Sequence, residues 1–117
     1  MTLQKNIGNE GERMAAEFLH ARGYVIRERQ WTCRFGEIDL IAYQHTTGTL
    51  VFIEVKRRRG LMSAAFIECV DWRKQQRLVS AITCYLQQHG YDGPIRCDVV
   101  LIDRTGRITH ICDVDLG

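Results

Sequence analysis

The chain has 117 residues, of which 45% are hydrophobic and 26% charged, with a single proline. This length suits one domain, and the composition excludes a disordered chain, a collagen-like repeat and a coiled coil. Sixteen Lys and Arg against fourteen Asp and Glu leave a net charge of +2, far from the basic balance of a histone-like protein. We therefore predict a single domain over residues 1–117, in which any nucleic-acid binding depends on where the charges are placed.

The predicted elements follow the order α-β-β-β-α-β-β. A helical pattern begins near residues 6–9, with Asn9 placed to cap it, and ends at Gly23. A strand is predicted from residue 24 to 31, and two alternating runs at 36–43 and 49–56 predict a β-hairpin. A second helix is predicted from 71 to 89, followed by strands at 96–102 and 107–112. This order favours an α/β fold in which a mixed sheet of about five strands is flanked by two main helices.

The cysteines and the apolar runs bear on the cellular compartment. The five cysteines are odd in number and contain no CxxC pair, which is typical of reduced thiols and not of a disulfide scaffold. The four histidines are scattered in the sequence, so a structural zinc site is not expected. No run approaches the roughly 18 apolar residues of a membrane span, and the N-terminal residues lack the apolar stretch of a signal peptide. We predict a soluble, cytoplasmic domain with no membrane partner.

The hairpin carries the residues that point to chemistry. Because side chains alternate along a strand, Glu37 and Asp39 are predicted to share one face of the first hairpin strand. The aliphatic residues of that strand then form the opposite face: Ile38, Leu40 and Ala42. The second strand has the same arrangement, with a polar face of Phe52, Glu54 and Lys56 and an apolar face of Val51, Ile53 and Val55.

If the hairpin turn is symmetric about residues 46–47, Asp39 lies opposite Glu54 and Glu37 lies opposite Lys56. The second pair is an ordinary salt bridge, but two facing carboxylates repel each other unless water, a shared proton or a divalent cation relieves them. Clustered carboxylate oxygens are the ligands that Mg²⁺ and Mn²⁺ prefer. Lys56 would then contact a phosphate or an attacking water. A solvent-exposed charged face is the alternative interpretation.

Glu12 is a further candidate on the first helix. Spacing of three and four residues places it on the same face as Ala15, Ala16 and Leu19. A glutamate on this packed face is costly to bury without a cationic partner. Alternatively, Glu12 lies in the first helical turn, where the helix dipole favours an acid.

The basic residues form clusters. Lys56 continues into Arg57, Arg58 and Arg59, and a second group near the start of the second helix contains Arg73 and Lys74. A third group near Trp31 includes Arg34. Clusters of this kind suit the phosphate backbone of a nucleic acid, although a solvated charged face is the simpler explanation of most such runs.

The chain resembles the YraN-like uncharacterised protein family. The resemblance is carried by G-x-x-G-E-x-x-A at 8–15, GEIDLIA at 36–42, VFIEVKR at 51–57, Lys74 and R-C-D-V-V at 96–100. That family is similar to archaeal Holliday-junction resolvases of the PD-(D/E)xK superfamily. The resemblance implies a restriction-endonuclease-like core and metal-dependent cleavage of DNA. It implies Asp39, Glu54, Lys56 and Glu12 as catalytic residues, with Asp39, Glu54 and Glu12 as metal ligands.

The resulting hypothesis is a structure-selective DNA endonuclease that uses Mg²⁺, or Mn²⁺ in its place. Branched or broken duplex DNA is the expected substrate, and cutting two strands favours a homodimer. The residues expected to bind DNA are Arg57, Arg58, Arg59, Arg73, Lys74 and Arg34. Two alternatives stay open: a non-catalytic binding module with the same fold, and an enzyme that acts on RNA or nucleotides.

Overall fold

The computed structural model describes residues 3–57 and 72–116, with side chains from residue 10 in the first helix and from residue 75 in the second. The elements in chain order are α1 (Leu3–Ala21), β1 (Tyr24–Cys33), β2 (Gly36–Gln44), β3 (Thr49–Arg57), α2 (Trp72–His89), β4 (Ile95–Ile102) and β5 (Ile108–Ile111). The predicted α/β class and the order α-β-β-β-α-β-β are therefore confirmed.

The sheet is mixed and has five strands in the order β1-β2-β3-β4-β5. Strands β3 and β4 are parallel, and the other neighbours are antiparallel. The β2–β3 ladder runs from Gln44↔Thr49 to Leu40↔Ile53. This is the register predicted from a symmetric hairpin turn.

The core lies on both faces of the sheet. One buried cluster joins α1 to the sheet and includes Ala15, Leu19, Leu40, Ile53 and Val100. The other joins α2 to the sheet and includes Ile38, Ile41, Phe52, Leu78 and Tyr85. Two-sided burial explains the continuous apolar runs at residues 40–42 of β2 and 50–53 of β3.

The start of α1 differs from the prediction. The helix begins at Leu3, so Asn9 lies inside it and does not cap it. The residues that suggested a cap have only modest helix penalties, and the helix continues through them. The predicted end is confirmed, because Gly23 follows α1 with a φ of 89° and donates its amide to the carbonyl of His20.

The predicted alternation along β2 is wrong at one point. Leu40 packs in the α1 cluster, as does Ala42, but Ile38 packs with Trp31 in the α2 cluster. The change of face coincides with Gln30 of β1, which has a φ of 49° and lies between residues paired with Leu40 and Ile38. A residue with a positive φ turns the strand locally. The side chains of β1 and β2 therefore change from one side of the sheet to the other at Gln30 and Asp39.

A buried polar network joins β4 to β5. Asp98 is fully buried and accepts two hydrogen bonds from Arg96, at 2.9 and 2.8 Å. His110 donates to the same carboxylate at 2.7 Å, and the amide of Asp113 donates at 2.9 Å. Arg96 also donates to the hydroxyl of Tyr24 at 2.6 Å. The R-C-D-V-V motif therefore includes a structural ion pair.

Candidate metal and nucleic-acid site

Three carboxylates meet where α1 crosses β2. Glu12, Glu37 and Asp39 each offer an oxygen within 4.8 Å of the others. The structure thus brings the predicted Glu12 and Asp39 together and adds Glu37, which the sequence paired with Lys56. Glu54 is not a member of this group: the β2–β3 pairing ends at Leu40↔Ile53, one position before the predicted pair of Asp39 and Glu54.

The neighbouring carboxylates affect the pKa of Glu12. Burial, followed by the charges of Asp39 and Glu37, raises the pKa of its carboxyl from 4.5 to about 7. A hydrogen bond with Gln30 opposes this shift, and a hydrogen bond with Asp39 adds to it. Below about pH 7, a proton shared between Glu12 and Asp39 relieves their repulsion. The shared proton that the sequence left open concerned Asp39 and Glu54, and not this pair.

Gln30 is the residue that sequence reasoning missed. Its left-handed backbone lies across from Asp39 in the β1–β2 register, and its side chain hydrogen-bonds to Glu12. A non-glycine residue with this conformation is uncommon and concentrates at functional sites. No local signal in the sequence marks it, because polar residues are common in exposed strands.

The carboxylate of Asp39 also contacts the next strand. It accepts a hydrogen bond from the backbone amide of Val55 at 2.8 Å. Val55 lies between Glu54 and Lys56, whose charged groups approach to 3.8 Å. The side chains of Glu54 and Lys56 line a pocket on the α2 face of the sheet. The backbone of the E-x-K segment is therefore fixed to Asp39 by a direct hydrogen bond.

Several basic side chains lie on the elements that build this region. A Cβ on Gly11 would lie 2.7 Å from Cδ of Arg57, so the glycine allows α1 to rest on the stem of this arginine. A Cβ on Gly36 would lie 4.0 Å from Cβ of Arg77, which places α2 beside the start of β2. Arg34 is exposed in the β1–β2 turn. Two of the other residues predicted to contact DNA, Arg58 and Arg59, lie outside the described residues. The side chains of the remaining two, Arg73 and Lys74, also lie outside the described part of the structure.

A second polar group involves residues that the sequence left scattered. Asp98, His110 and Cys112 place ligand atoms within 4.8 Å of one another. The Asp98 carboxylate is already saturated by Arg96, His110 and the amide of Asp113. A cation would have to compete with the guanidinium, so we assign this group to the structural network. The four described cysteines are free.

Replacing Glu12 by Gln tests the shared proton. An acid whose pKa rises from 4.5 to about 7 on folding makes the wild-type chain lose stability as the pH rises through that window. In Glu12→Gln, this pH dependence should disappear, and stability above pH 7 should rise by about 1 kcal/mol, after allowance for solvent screening. Urea unfolding in the presence of a chelator, between pH 5 and 8, measures both effects. The matched control is Glu17→Gln on the exposed face of α1; a wild-type stability that does not change over this range would contradict the shared proton.

Residues 11–102 match the model of a family described as uncharacterised protein family UPF0102. The chain belongs to the UPF0102 family. A UPF0102 protein of Clavibacter michiganensis subsp. michiganensis is 43% identical over 101 residues, which cover 86% of this chain and 84% of that protein. A UPF0102 protein of Symbiobacterium thermophilum is 44% identical over 102 residues, with coverage of 86% and 85%. The YraN-like resemblance is thereby confirmed.

Two solved structures are similar to this UPF0102 chain at a lower level. One is described as an EndoMS–dsDNA2 complex (TM-score 0.45, 18% identity, 74% of this chain and 34% of that one). The other is a repair endonuclease from Pyrococcus abyssi (TM-score 0.43, 19% identity, 88% and 38%). The chain spans about a third of each, so their activities are not transferred to it.

Within the described residues, no helix is long and apolar enough to cross a membrane.

Proposed function

We propose that this chain is a metal-dependent, structure-selective endonuclease that hydrolyses phosphodiester bonds in DNA, in the cytoplasm. The observation that carries the proposal is the carboxylate group of Glu12, Glu37 and Asp39, joined through the Val55 amide to the segment that bears Glu54 and Lys56. The GEIDLIA and VFIEVKR blocks, which carry the family resemblance, contribute four of these five side chains and the amide.

The residues present fit Mg²⁺ or Mn²⁺. Their donor atoms are carboxylate oxygens, which these hard cations prefer. Burial and the charges of Asp39 and Glu37 raise the pKa of Glu12 to about 7, and a cation between these carboxylates would relieve the repulsion in place of a proton. Glu12, Asp39 and Glu37 would hold the cation, because their oxygens approach within 4.8 Å of one another. Glu54, which the resemblance implies as a ligand, lines the pocket on the α2 face and would have to turn toward the cation to bind it. A divalent cation at this point supplies an activated water and neutralises charge on the phosphate.

The other groups would orient the substrate. Lys56 would contact a phosphate oxygen or the attacking water, because its ammonium lies on the same strand face as Glu54. Hydrolysis forms one bond from the water oxygen to phosphorus and breaks one phosphorus–oxygen ester bond. Gln30 would position Glu12 through its hydrogen bond. Substitution of Gln30 would therefore act through Glu12 and not through substrate contact.

Flanking DNA would lie on the basic residues. Arg57 and Arg34 are exposed, and Arg77 lies beside Gly36, the residue before Glu37. Contacts of this kind read the phosphate backbone and not the sequence, which suits recognition of DNA by shape. The sequence predicts that Arg58, Arg59, Arg73 and Lys74 also contact DNA. Branched or broken duplex DNA is the proposed substrate, and a homodimer would place one site on each of two strands.

A cleavage assay tests this function. Four-way junctions, flaps, single strands and plain duplex are incubated with the chain in Mg²⁺, Mn²⁺ or a chelator. We expect cleavage that requires the cation, is strongest on branched or broken DNA and weakens as salt rises. Binding without cleavage on every substrate and in either metal would instead favour the non-catalytic binding module. Preference for RNA of the same shape would assign the site to a ribonuclease.

A further inference from the structure

A pocket of about 240 Å³ lies directly beside Glu54 and Lys56, on the α2 face of the sheet. Its walls come from β3, α2, β4, β5 and the residues that follow β5. Two of the lining leucines are almost fully buried, Leu78 at 8% exposure and Leu101 at 3%. The pocket is therefore a deep recess in the fold, and a single ligand group enclosed by apolar walls is what such a recess binds.

The polar groups of the pocket are mostly acidic. Glu54, Asp113 and Asp115 line it together with a single described cation, Lys56. Lys56 lies 3.8 Å from Glu54, so its charge is partly compensated. On the inner wall, burial and the charges of Glu54 and Asp98 raise the pKa of Cys97 to about 12, which keeps this thiol neutral. Away from Lys56, an anionic group is disfavoured in this pocket, whereas an uncharged group that donates hydrogen bonds to carboxylates is favoured.

The position of the pocket restricts the ligand further. Glu54 and Lys56 belong both to the pocket and to the proposed catalytic strand, so a phosphate held at Lys56 would place its own nucleotide at the entrance. A nucleobase has flat apolar faces for walls such as Leu78, Val99 and Leu101. Enzymes that extrude a base hold it between apolar side chains and hydrogen-bond its edge. Carboxylates accept from the exocyclic amine of cytosine, which thymine and uracil lack.

We propose that this pocket binds one extruded or unpaired nucleobase that carries an exocyclic amine, next to the scissile phosphate. The position relative to the phosphate rests on the proposed function, while the capacity to bind the base rests on the pocket alone. Selectivity for unpaired bases would explain how a site without sequence-reading contacts could prefer branched or broken DNA.

Titration of the full wild-type chain with cytidine and with uridine, without metal, tests the pocket by NMR. The two nucleosides differ at one position, where cytidine has an amine and uridine a carbonyl. We expect cytidine to shift the amide signals of Val99, Leu101 and Ile111 and to bind about tenfold more tightly than uridine. Equal binding of the two nucleosides, or shifts confined to residues outside the pocket, would overturn the proposal.

A pocket-filling variant provides a second measurement. Val99→Phe should weaken cytidine binding by about tenfold, because the new ring occupies the site of the base. Val25→Phe is the matched control, since Val25 is 43% exposed on β1, outside the pocket. If DNA is cut with Mg²⁺ but cytidine does not bind, the pocket proposal fails and the proposed function stands. If cytidine binds but no DNA is cut, the function fails and the pocket stands.

Discussion

Asp39→Asn is expected to lower Mg²⁺-dependent DNA cleavage by at least about 10²–10³-fold, the scale for losing one group that stabilises charge in an active site. Asp39 is the one carboxylate that contacts both Glu12 and the backbone of the E-x-K segment. The asparagine keeps the size of the side chain and an oxygen that can accept from Val55, but it removes the charge that would hold a cation. Initial rates on the best substrate, at saturating Mg²⁺, measure the effect.

Two further measurements separate a chemical role of Asp39 from a structural one. Mg²⁺ should raise the melting temperature of the wild-type chain, because a ligand of the native state stabilises it, and this rise should be lost in Asp39→Asn. Asp92→Asn, in the exposed loop before β4, is the matched control and should leave both the rate and the shift unchanged. Lys56→Ala should abolish cleavage but keep the Mg²⁺-dependent shift. Unaltered cleavage in Asp39→Asn and Lys56→Ala would refute the proposed mechanism.

Asp98→Ala is expected to destabilise the chain by about 3–5 kcal/mol, the cost of removing one partner from a buried ion pair. The substitution leaves the guanidinium of Arg96, with 18% side-chain exposure, without its main acceptor. It also releases His110 and the amide of Asp113. Urea unfolding at pH 7 measures the loss. A double variant that also replaces Arg96 by Ala should lose less than the sum of the two single variants, since the interaction is shared.

The pH dependence gives this prediction a second, independent readout. Burial alone would raise the pKa of Asp98, but the hydrogen bonds from His110, Arg96 and the Asp113 amide lower it to about 2. A depressed pKa contributes stability above the unfolded value of about 4 and loses it as the pH falls toward about 2. The difference between wild type and Asp98→Ala should therefore shrink between pH 4 and 2. The exposed control, Asp92→Ala, should show no such convergence.

The sequence was sufficient for the fold because local patterns determine it. The two hairpin strands have apolar runs on both sides of a short turn, and the symmetric turn predicts their register through Leu40↔Ile53. The end of α1 is predictable because Gly23 adopts the left-handed backbone that ends many helices. The α1 start was missed, since weak helix formers inside a helix look the same as a cap in a single sequence.

The candidate site was only half predictable, for a physical reason. Spacing and resemblance identified Glu12 and Asp39, but their contact joins residues 27 positions apart and depends on how α1 crosses the sheet. The exchange of faces at Gln30 was not predictable, because glutamine has no intrinsic preference for a positive φ. Strict alternation ignores that turn, so it assigns Ile38 to the α1 face of the sheet and Glu37 to the α2 face. It therefore gives no reason for the Glu37 carboxylate to lie close to Glu12 on α1.

The hydrogen bond between Asp39 and Val55 also bears on the choice of cation. One oxygen of the carboxylate accepts the amide, which leaves Asp39 best able to act as a monodentate ligand of fixed direction. Ca²⁺ adopts six to eight ligands in flexible geometries and often takes a carboxylate through both oxygens, whereas Mg²⁺ requires a near-octahedral arrangement. If the site binds a cation as proposed, a single backbone amide of the neighbouring strand would discriminate against the larger ion, because it limits the number of oxygens that Asp39 can offer.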